Sequence, residues 1–588
     1  MKFLQQAIVK AFAAIFETEI QENQINLEQT KKEFKGHATF VVFPFVKYTK
    51  KSPEQTANLL GEYITANCDE VERFNVIKGF LNLVLSDKYW LSVFKTEVIA
   101  ENFGFLPKNG EKVMVEYSSP NTNKPLHLGH VRNNLLGFSV SNLLDVAGFE
   151  VIKANLVNDR GIHICKSMLA WQKFGHSETP ESAGLKGDHL VGKYYVIFDK
   201  QYKQQISELI AQGKTEEEAK KQAPLILEAQ QMLLKWEQGD DEVISLWKTM
   251  NGWVYAGFDE TYKKLGVSFD KYYYESDTYL LGKDIVEEGL QKGVFFKKED
   301  HSVWIDLTAE GLDEKLVRRA DGTSVYITQD LGTAQLKYND FKVDKSIYVV
   351  GNEQDYHFKV LFLILEKLGK NWAKGLYHLS YGMVDLPSGK MKSREGTVVD
   401  ADDLIEEMKA TAKEKTEALG KVDNFDEAEK DALYQMIGMG ALKYFLLKVE
   451  PKKRLLFDPK ESIDFQGNTG PFIQYTHARI KSVLKKANFS DKKIDYPVNL
   501  TETEVELVQS LSKYPEIIAQ AAKDYNPAAI ANFAYDLAKV YNKFYQTEPI
   551  LKVEDSLLKT FRLQLSLHTA KTLNKGMDIL GIKMPERM

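Results

Sequence analysis

Residues 112–157 read KVMVEYSSPNTNKPLHLGHVRNNLLGFSVSNLLDVAGFEVIKANLV, and several local patterns follow one another within them. An apolar run at 112–117 has the composition of a strand. A Ser-Ser-Pro-Asn turn at 118–121 ends it. Apolar residues at helical spacing then fill 128–147 and stop at Gly148. A second apolar run, at 151–157, reads as another strand. Strand, loop, helix and strand at this spacing form a βαβ unit, which predicts an α/β fold built on a parallel sheet.

The junction between the first strand and the helix carries Pro125-Leu126-His127-Leu128-Gly129-His130. Gly129 lacks a Cβ, so a base or phosphate can approach the backbone there. The helix start offers free N–H groups and the positive end of a dipole. Two histidines beside it can donate ring N–H groups to charge developing on a phosphorus centre. In isolation such a tetrapeptide is two surface histidines; at a strand–helix junction it reads as a nucleotide site. Further on, Gly389-Lys390-Met391-Lys392-Ser393-Arg394-Glu395-Gly396 places cations between two glycines after a strand-like run at 377–386. Such runs are more often solvated basic loops, although these cations could close over a pyrophosphate. The run 187–193 fits Gly-x-x-x-x-Gly-Lys, but Tyr194 stands where a phosphate loop needs Ser or Thr, and no strand precedes it.

Outward from this centre the chain divides. Residues 1–108 read as a small α+β unit. Leu4, Ile8, Phe12 and Ile15 mark one face of an opening helix, and strand-like runs follow at 38–46 and 80–85. A Lys/Glu/Gln-rich helical insertion at about 185–265 splits the sheet, densest at 201–250. Strands are predicted again at 303–307, 325–328, 346–350 and 377–386, with helices at 331–337, 359–368 and 404–418 between or after them. From about 427 the pattern is helical.

A chain of 588 residues is too long for a lone binding module. Its mean hydropathy of −0.34 and 27% charged residues are those of a soluble globular protein. Two cysteines, Cys68 and Cys165, build neither a disulfide framework nor a four-cysteine zinc site. Gln5, Gln6 and Lys10 interrupt the one stretch that could pass for a signal peptide. A cytoplasmic protein without a membrane span or bound zinc is expected. The net charge is −6, with residues 461–588 slightly basic; that asymmetry alone is no more than a solvated surface.

Together the two motifs resemble the HIGH and KMSKS signatures of class I aminoacyl-tRNA synthetases. The surroundings resemble the arginyl members: Glu116-Tyr117-Ser118-Ser119-Pro120-Asn121 leading to Lys124-Pro125-Leu126-His127; Asp321-Gly322-Thr323 before Tyr326 and Asp330; Gly351 through Gln354 to His357-Phe358; Gly470-Pro471-Phe472-Ile473-Gln474-Tyr475-Thr476-His477-Ala478-Arg479-Ile480; and the closing Met584-Pro585-Glu586-Arg587-Met588. The resemblance covers nearly the whole chain. It implies a Rossmann-like catalytic domain at 109–400 carrying the insertion. It also implies an N-terminal added domain at 1–108 that touches the tRNA elbow, a connecting helical region at 401–460 and an all-α anticodon-binding domain at 461–588.

Residue by residue, the resemblance implies that His127, Leu128, Gly129 and His130, with Met391 and Ser393, bind ATP as its Mg²⁺ complex. The catalytic groups would be His127, His130, Lys124, Lys390 and Lys392. Ser393 falls where the family's loop has its second lysine, and Lys124 stands where a substitute charge is thought to act. Glu116, Ser118, Asn121, Tyr326, Asp330 and Gln354 match the arginine pocket. Fixed carboxylates and amides suit a planar guanidinium that never deprotonates. Gln474, Tyr475, Arg479, Lys481, Lys485 and Tyr541 are the candidates for tRNA contact, since aromatic faces and cations hold unstacked bases and phosphates. The implied enzyme is an arginine–tRNA ligase acting as a monomer on L-arginine, ATP and tRNA(Arg), and activating arginine only with tRNA bound. The alternatives are a catalytically inactive tRNA-binding paralogue and a class I ligase for another amino acid. The intact motif residues oppose the first; the absent zinc cysteines and the paired carboxylates oppose the second.

Overall fold

The computed structural model describes residues 1–31, 33–385, 399–420, 422, 424–490 and 499–588. Its central sheet consists of β1 (Lys112–Glu116), β2 (Glu150–Val157), β3 (Lys271–Tyr274), β4 (Lys345–Gly351) and β5 (Leu376–Tyr381), ordered β5-β4-β1-β2-β3. All four pairings are parallel, with Met114 opposite both Ile152 and Ser346. The chain leaves β1 in one direction to form β2 and β3, and returns to its other side to form β4 and β5. Strand order therefore reverses at β1, and in open α/β sheets ligands bind beyond the carboxyl ends of the strands at such a reversal.

Five helices place the residues around that point: α1 (Leu128–Val146), α2 (Gly187–Ala211), α3 (Tyr326–Phe341), α4 (Asp355–Lys367) and α5 (Ala401–Ala418). A Cβ on Gly137 of α1 would meet the Cβ of Tyr117 at 2.3 Å, so glycine lets the helix lie close to the end of β1. Arg132, 1% exposed, fixes the same helix. Its guanidinium donates to the carbonyls of Gly382 (2.8 Å), Met383 (3.3 Å), Pro451 (3.2 Å) and Lys453 (2.9 Å). The run 187–193 forms the opening turns of α2. Its glycines serve packing: a Cβ at 187 would meet the Trp253 carbonyl oxygen at 2.1 Å, and one at 192 would meet Cδ of Pro125 at 2.7 Å.

Two expectations need correction. Residues 326–328 open α3, with Val325 as its N-cap, so no strand lies at 325–328. Val303–Ile305 belongs to a separate antiparallel sheet with Phe296–Lys297 and Lys315–Arg318. The insertion is helical, comprising α2, Glu216–Gln222, Pro224–Glu237 and Asp241–Leu265.

The chain forms two compact units, residues 1–103, 483–514 and 539–569 in one, and 104–482, 515–538 and 570–588 in the other. In the first, an antiparallel sheet orders Leu27–Gln29, Ala38–Val41, Phe80–Leu85 and Val71–Ile77. The helix Lys2–Phe16 buries Leu4, Ile8 and Phe12, the face its spacing marks. A second buried network there joins Arg562 to Glu504 and Glu548, at 2.7 Å each. Among the described residues no helix is long and apolar enough to cross a membrane.

Candidate active site

His127 is the N-cap of α1, with extended backbone. Its Nδ1 accepts from the Gly129 N–H at 3.1 Å, and its own N–H donates to Nδ1 of His130 at 3.2 Å. The two rings lie 3.9 Å apart. With Nδ1 accepting in both, each neutral imidazole carries its proton on Nε2. Burial, reinforced by the Lys124 ammonium, lowers His127 to about 4. Burial also holds His130 well below the ordinary imidazole range, helped by His127 and Lys124. At neutral pH the motif therefore presents two uncharged Nε2–H donors. The atoms nearest a Cβ built on Gly129 belong to the His127 ring, at 3.0 Å. Here the glycine makes room for the capping ring itself, rather than leaving bare backbone for a ligand.

Residues 399–401 pair with this motif. The Leu128 N–H donates to the Val399 carbonyl at 3.0 Å and the Ala401 N–H to that of Leu126 at 2.9 Å, which sets His127 opposite Asp400. The Asp400 carboxylate caps α5, accepting from the N–H groups of Asp402 (2.8 Å) and Asp403 (3.2 Å), and also meets Nε2 of His189 on α2 at 3.0 Å. A cavity of about 220 Å³ lies here, lined by Lys124, His127, His189, Lys193 and Asp400 among others. Residues 390–393, and with them Lys390, Met391, Lys392 and Ser393, lie outside the described residues.

Beyond the ends of β1 and β4 lies a cavity of about 350 Å³. Glu116, Asn121, Tyr326, Asp330 and Gln354 all line it. The sequence separates these residues by up to 238 positions, and the strand reversal gathers them. Tyr326, Gln329, Asp330, Thr333 and Lys337 reach it from one face of α3, the i, i+3, i+4, i+7 face of a helix. Asp330 meets Nε2 of His357 at 2.7 Å, with both side chains about one-third exposed (36% and 31%). Glu116 is buried against Lys337. Glu275 is a third acid of the cavity, lifted by burial to about 7. Sequence reasoning missed Lys337, Glu275 and the role of His357. Only the seven-residue step from Asp330 to Lys337, two helical turns, could have signalled one of them.

Ser118 does not line the cavity. Its hydroxyl pairs with that of Tyr262 at 2.7 Å and its N–H donates to Asn133 Oδ1 at 2.5 Å, so it shapes the β1 turn. Of the tRNA candidates, Gln474 is fully buried and donates to the carbonyls of Met436 (3.1 Å) and Lys583 (2.8 Å). Tyr541 is also fully buried, its hydroxyl 3.2 Å from that of Ser566. Neither presents a face to a partner, which corrects both assignments. Lys485 is exposed, and the Arg479 guanidinium lies 4.9 Å over the Tyr475 ring. Lys481 pairs with Glu586 at 2.9 Å.

A parallel sheet with a donor pair at its reversal and an acid-lined cavity beside it is the catalytic arrangement of class I aminoacyl-tRNA synthetases. The family model described as tRNA synthetases class I (R), catalytic domain, matches residues 98–458. Those for the arginyl-tRNA synthetase N-terminal domain and the DALR anticodon-binding domain match 2–85 and 473–588. The chain belongs to the arginyl-tRNA synthetase family, whose members ligate arginine to tRNA. It is 57% identical to the arginine–tRNA ligase of Bacteroides thetaiotaomicron and 58% identical to that of Flavobacterium psychrophilum, in each case over 100% of this chain and 99% of the relative. In fold it is similar to the Thermus thermophilus arginyl-tRNA synthetase (TM-score 0.78, 24% identity, 100% of both chains covered). It is also similar to the Plasmodium falciparum enzyme (TM-score 0.74, 20% identity, 100% of this chain and 99% of that one).

Proposed function

We propose that the 350 Å³ cavity takes L-arginine, with its carboxylate directed toward the His127–His130 end where the α-phosphate of ATP is attacked. The observation that carries this reading is the convergence of Glu116, Asp330 and Gln354 with Asn121 and Tyr326 on one cavity at the end of β1, the strand that leads into the helix capped by His127. Arginine's carboxylate is already a nucleophile, so the step needs no general base. It needs positioning and donors for charge accumulating on the phosphoryl oxygens. Neutral imidazoles suit that task, since each offers one N–H without a competing proton equilibrium near pH 7. Lys124, which lines the 220 Å³ cavity with His127, supplies fixed positive charge toward the leaving pyrophosphate, together with Lys390 and Lys392. The arginyl group then passes to the 3′-terminal adenosine of tRNA(Arg).

Mg²⁺ enters with the nucleotide, held by its phosphates. The described cluster with metal-ligand spacing, Asp188, His189 and Asp402, does not fit a divalent ion. The Lys186 ammonium lies against both aspartates and the Lys264 ammonium lies 3.2 Å from Asp402. Tyr475, Arg479, Lys481 and Lys485 serve the tRNA, and activation depends on tRNA being bound. The working unit is a cytoplasmic monomer.

The test is arginine-dependent pyrophosphate exchange with tRNA present. Asp330→Asn should raise the arginine KM by ~10²-fold with the ATP KM little changed, in the range of a lost charge-assisted contact. Citrulline, isosteric but uncharged, should be rejected. Equal use of citrulline and arginine would rule the pocket out. Robust exchange without tRNA would overturn the coupling while leaving the pocket intact.

A further inference from the structure

Two of the cavity's three acids, Asp330 and Glu116, have unlike partners. Asp330 and His357 meet near the mouth, beside Tyr326, which is 77% exposed. Glu116 and Lys337 meet at the inner end, 6% and 2% exposed. Lys337 reaches Glu116 from α3, two turns beyond Asp330, or about 10 Å along the axis. One helix thus carries a carboxylate at the mouth and an ammonium at the inner end. The Lys337 ammonium also lies 5.0 Å from the Tyr348 ring centre and 5.9 Å from that of Tyr273, so two aromatic faces hold it in place. A phenol is never a cation, so neither ring's hydroxyl can replace the ammonium. Burial and the Glu116 charge hold the Tyr348 hydroxyl well above its ordinary range, and the Tyr273 hydroxyl donates to Asp340 at 2.8 Å.

We propose that Lys337 is a positioning residue for arginine selection: it orients and balances the Glu116 carboxylate so that this group meets the cationic substrate in one fixed geometry. The inference rests on the reading of Glu116 as an arginine-binding group. Lys337 acts through Glu116 and is too enclosed to leave. An exposed ion pair can open to admit a ligand at little cost. A buried one cannot, because the partner left behind is an uncompensated charge. The inner carboxylate is therefore held by the protein and shared with the substrate, whereas the outer one can be handed over from His357.

The experiment measures KM for arginine and for ATP, and kcat, by pyrophosphate exchange with tRNA present. It uses the full-length protein and its Lys337→Met, Lys337→Arg, Glu116→Gln and Glu116→Gln/Lys337→Met variants. Lys337→Met should raise the arginine KM by ~10²-fold while the ATP KM stays within about 2-fold. Lys337→Arg, which keeps the charge, should recover most of that loss. The double variant should be no worse than Glu116→Gln alone, since the lysine has nothing left to position. It also lacks the unpaired buried charge, so it decides the question even if Lys337→Met fails to fold. An unchanged arginine KM in Lys337→Met, or losses that add in the double variant, would overturn the proposal. An unchanged arginine KM in Glu116→Gln would instead overturn the reading of the pocket.

Discussion

His127 and His189 stand on either side of one residue, Asp400, and their imidazoles are driven in opposite directions. Asp400 faces His127 with its backbone, across the pairing of 399–401 with 126–128. It offers its carboxylate to His189. Without a carboxylate hydrogen bond, burial and the Lys124 charge outweigh the attraction of Asp400 and take His127 down to about 4. With one, the hydrogen bond to Asp400 outweighs burial and raises His189. Burial alone would raise the Asp400 carboxyl; the hydrogen bond and charge of His189 and the N–H groups at the start of α5 outweigh it and hold it low. The same side chain is thus held neutral in one place and drawn toward its charged form in the other. The difference lies in burial, in the Lys124 charge beside His127 and in the carboxylate hydrogen bond that His189 makes.

His127→Ala and His130→Ala should each slow arginine activation by ~10²–10³-fold, the usual cost of a lost transition-state donor. The wild-type pH–rate profile should show no break from these rings between pH 6 and 8. A loss should come only as acidification approaches about 4, where His127 takes up a proton. A break near 6.5 assigned to either ring would contradict its neutral state. Asp400→Ala removes an N-cap and strands His189, and should lower unfolding free energy by about 1–2 kcal/mol, read by denaturant titration.

The smallest effect is the most diagnostic. His189→Ala should cost about 1 kcal/mol, with a definite pH dependence. His189 is raised, so its contribution is complete below its unfolded value of about 6.5 and fades as pH rises through the folded value. Asp400 is lowered, so its share persists above about 3.9 and fades only on stronger acidification. The variant should therefore differ more from wild type at pH 6 than at pH 9. The opposite trend would show that His189 is held neutral.

How much of this was legible in the sequence follows from how local each signal is. The βαβ core at 112–157 was readable because strand, turn and helix signals sit within one contiguous stretch. Glu116, Asn121, Tyr326, Asp330 and Gln354 were singled out through motif resemblance, and they line one cavity. Lys337 was not found, because its partner lies on another element and the two-turn step from Asp330 is the one local signal that sets it apart from a surface lysine. The strand expected at 325–328 failed for a related reason. Val325, Ile327 and Thr328 favour strands by propensity, yet Ile327 and Thr328 are buried on the inner face of α3. Gln474 and Tyr541 looked like RNA-facing groups in helices. Burial gave both to packing, where a polar group is satisfied by a carbonyl or hydroxyl of the chain itself.

Arg132 has a consequence for how this part of the molecule opens. Its fork holds carbonyls from two stretches, 382–383 and 451–453, and those stretches also bond to each other, the Gly382 N–H donating to Pro451 at 2.9 Å. Among the described residues no carboxylate shares the guanidinium, and burial pulls its pKa only to about 10, so the charge persists at neutral pH. Releasing any one stretch strands a buried cation with half its acceptors. The start of α1 and both stretches should then come apart together or not at all, and their amide protons should exchange with one common free energy of opening.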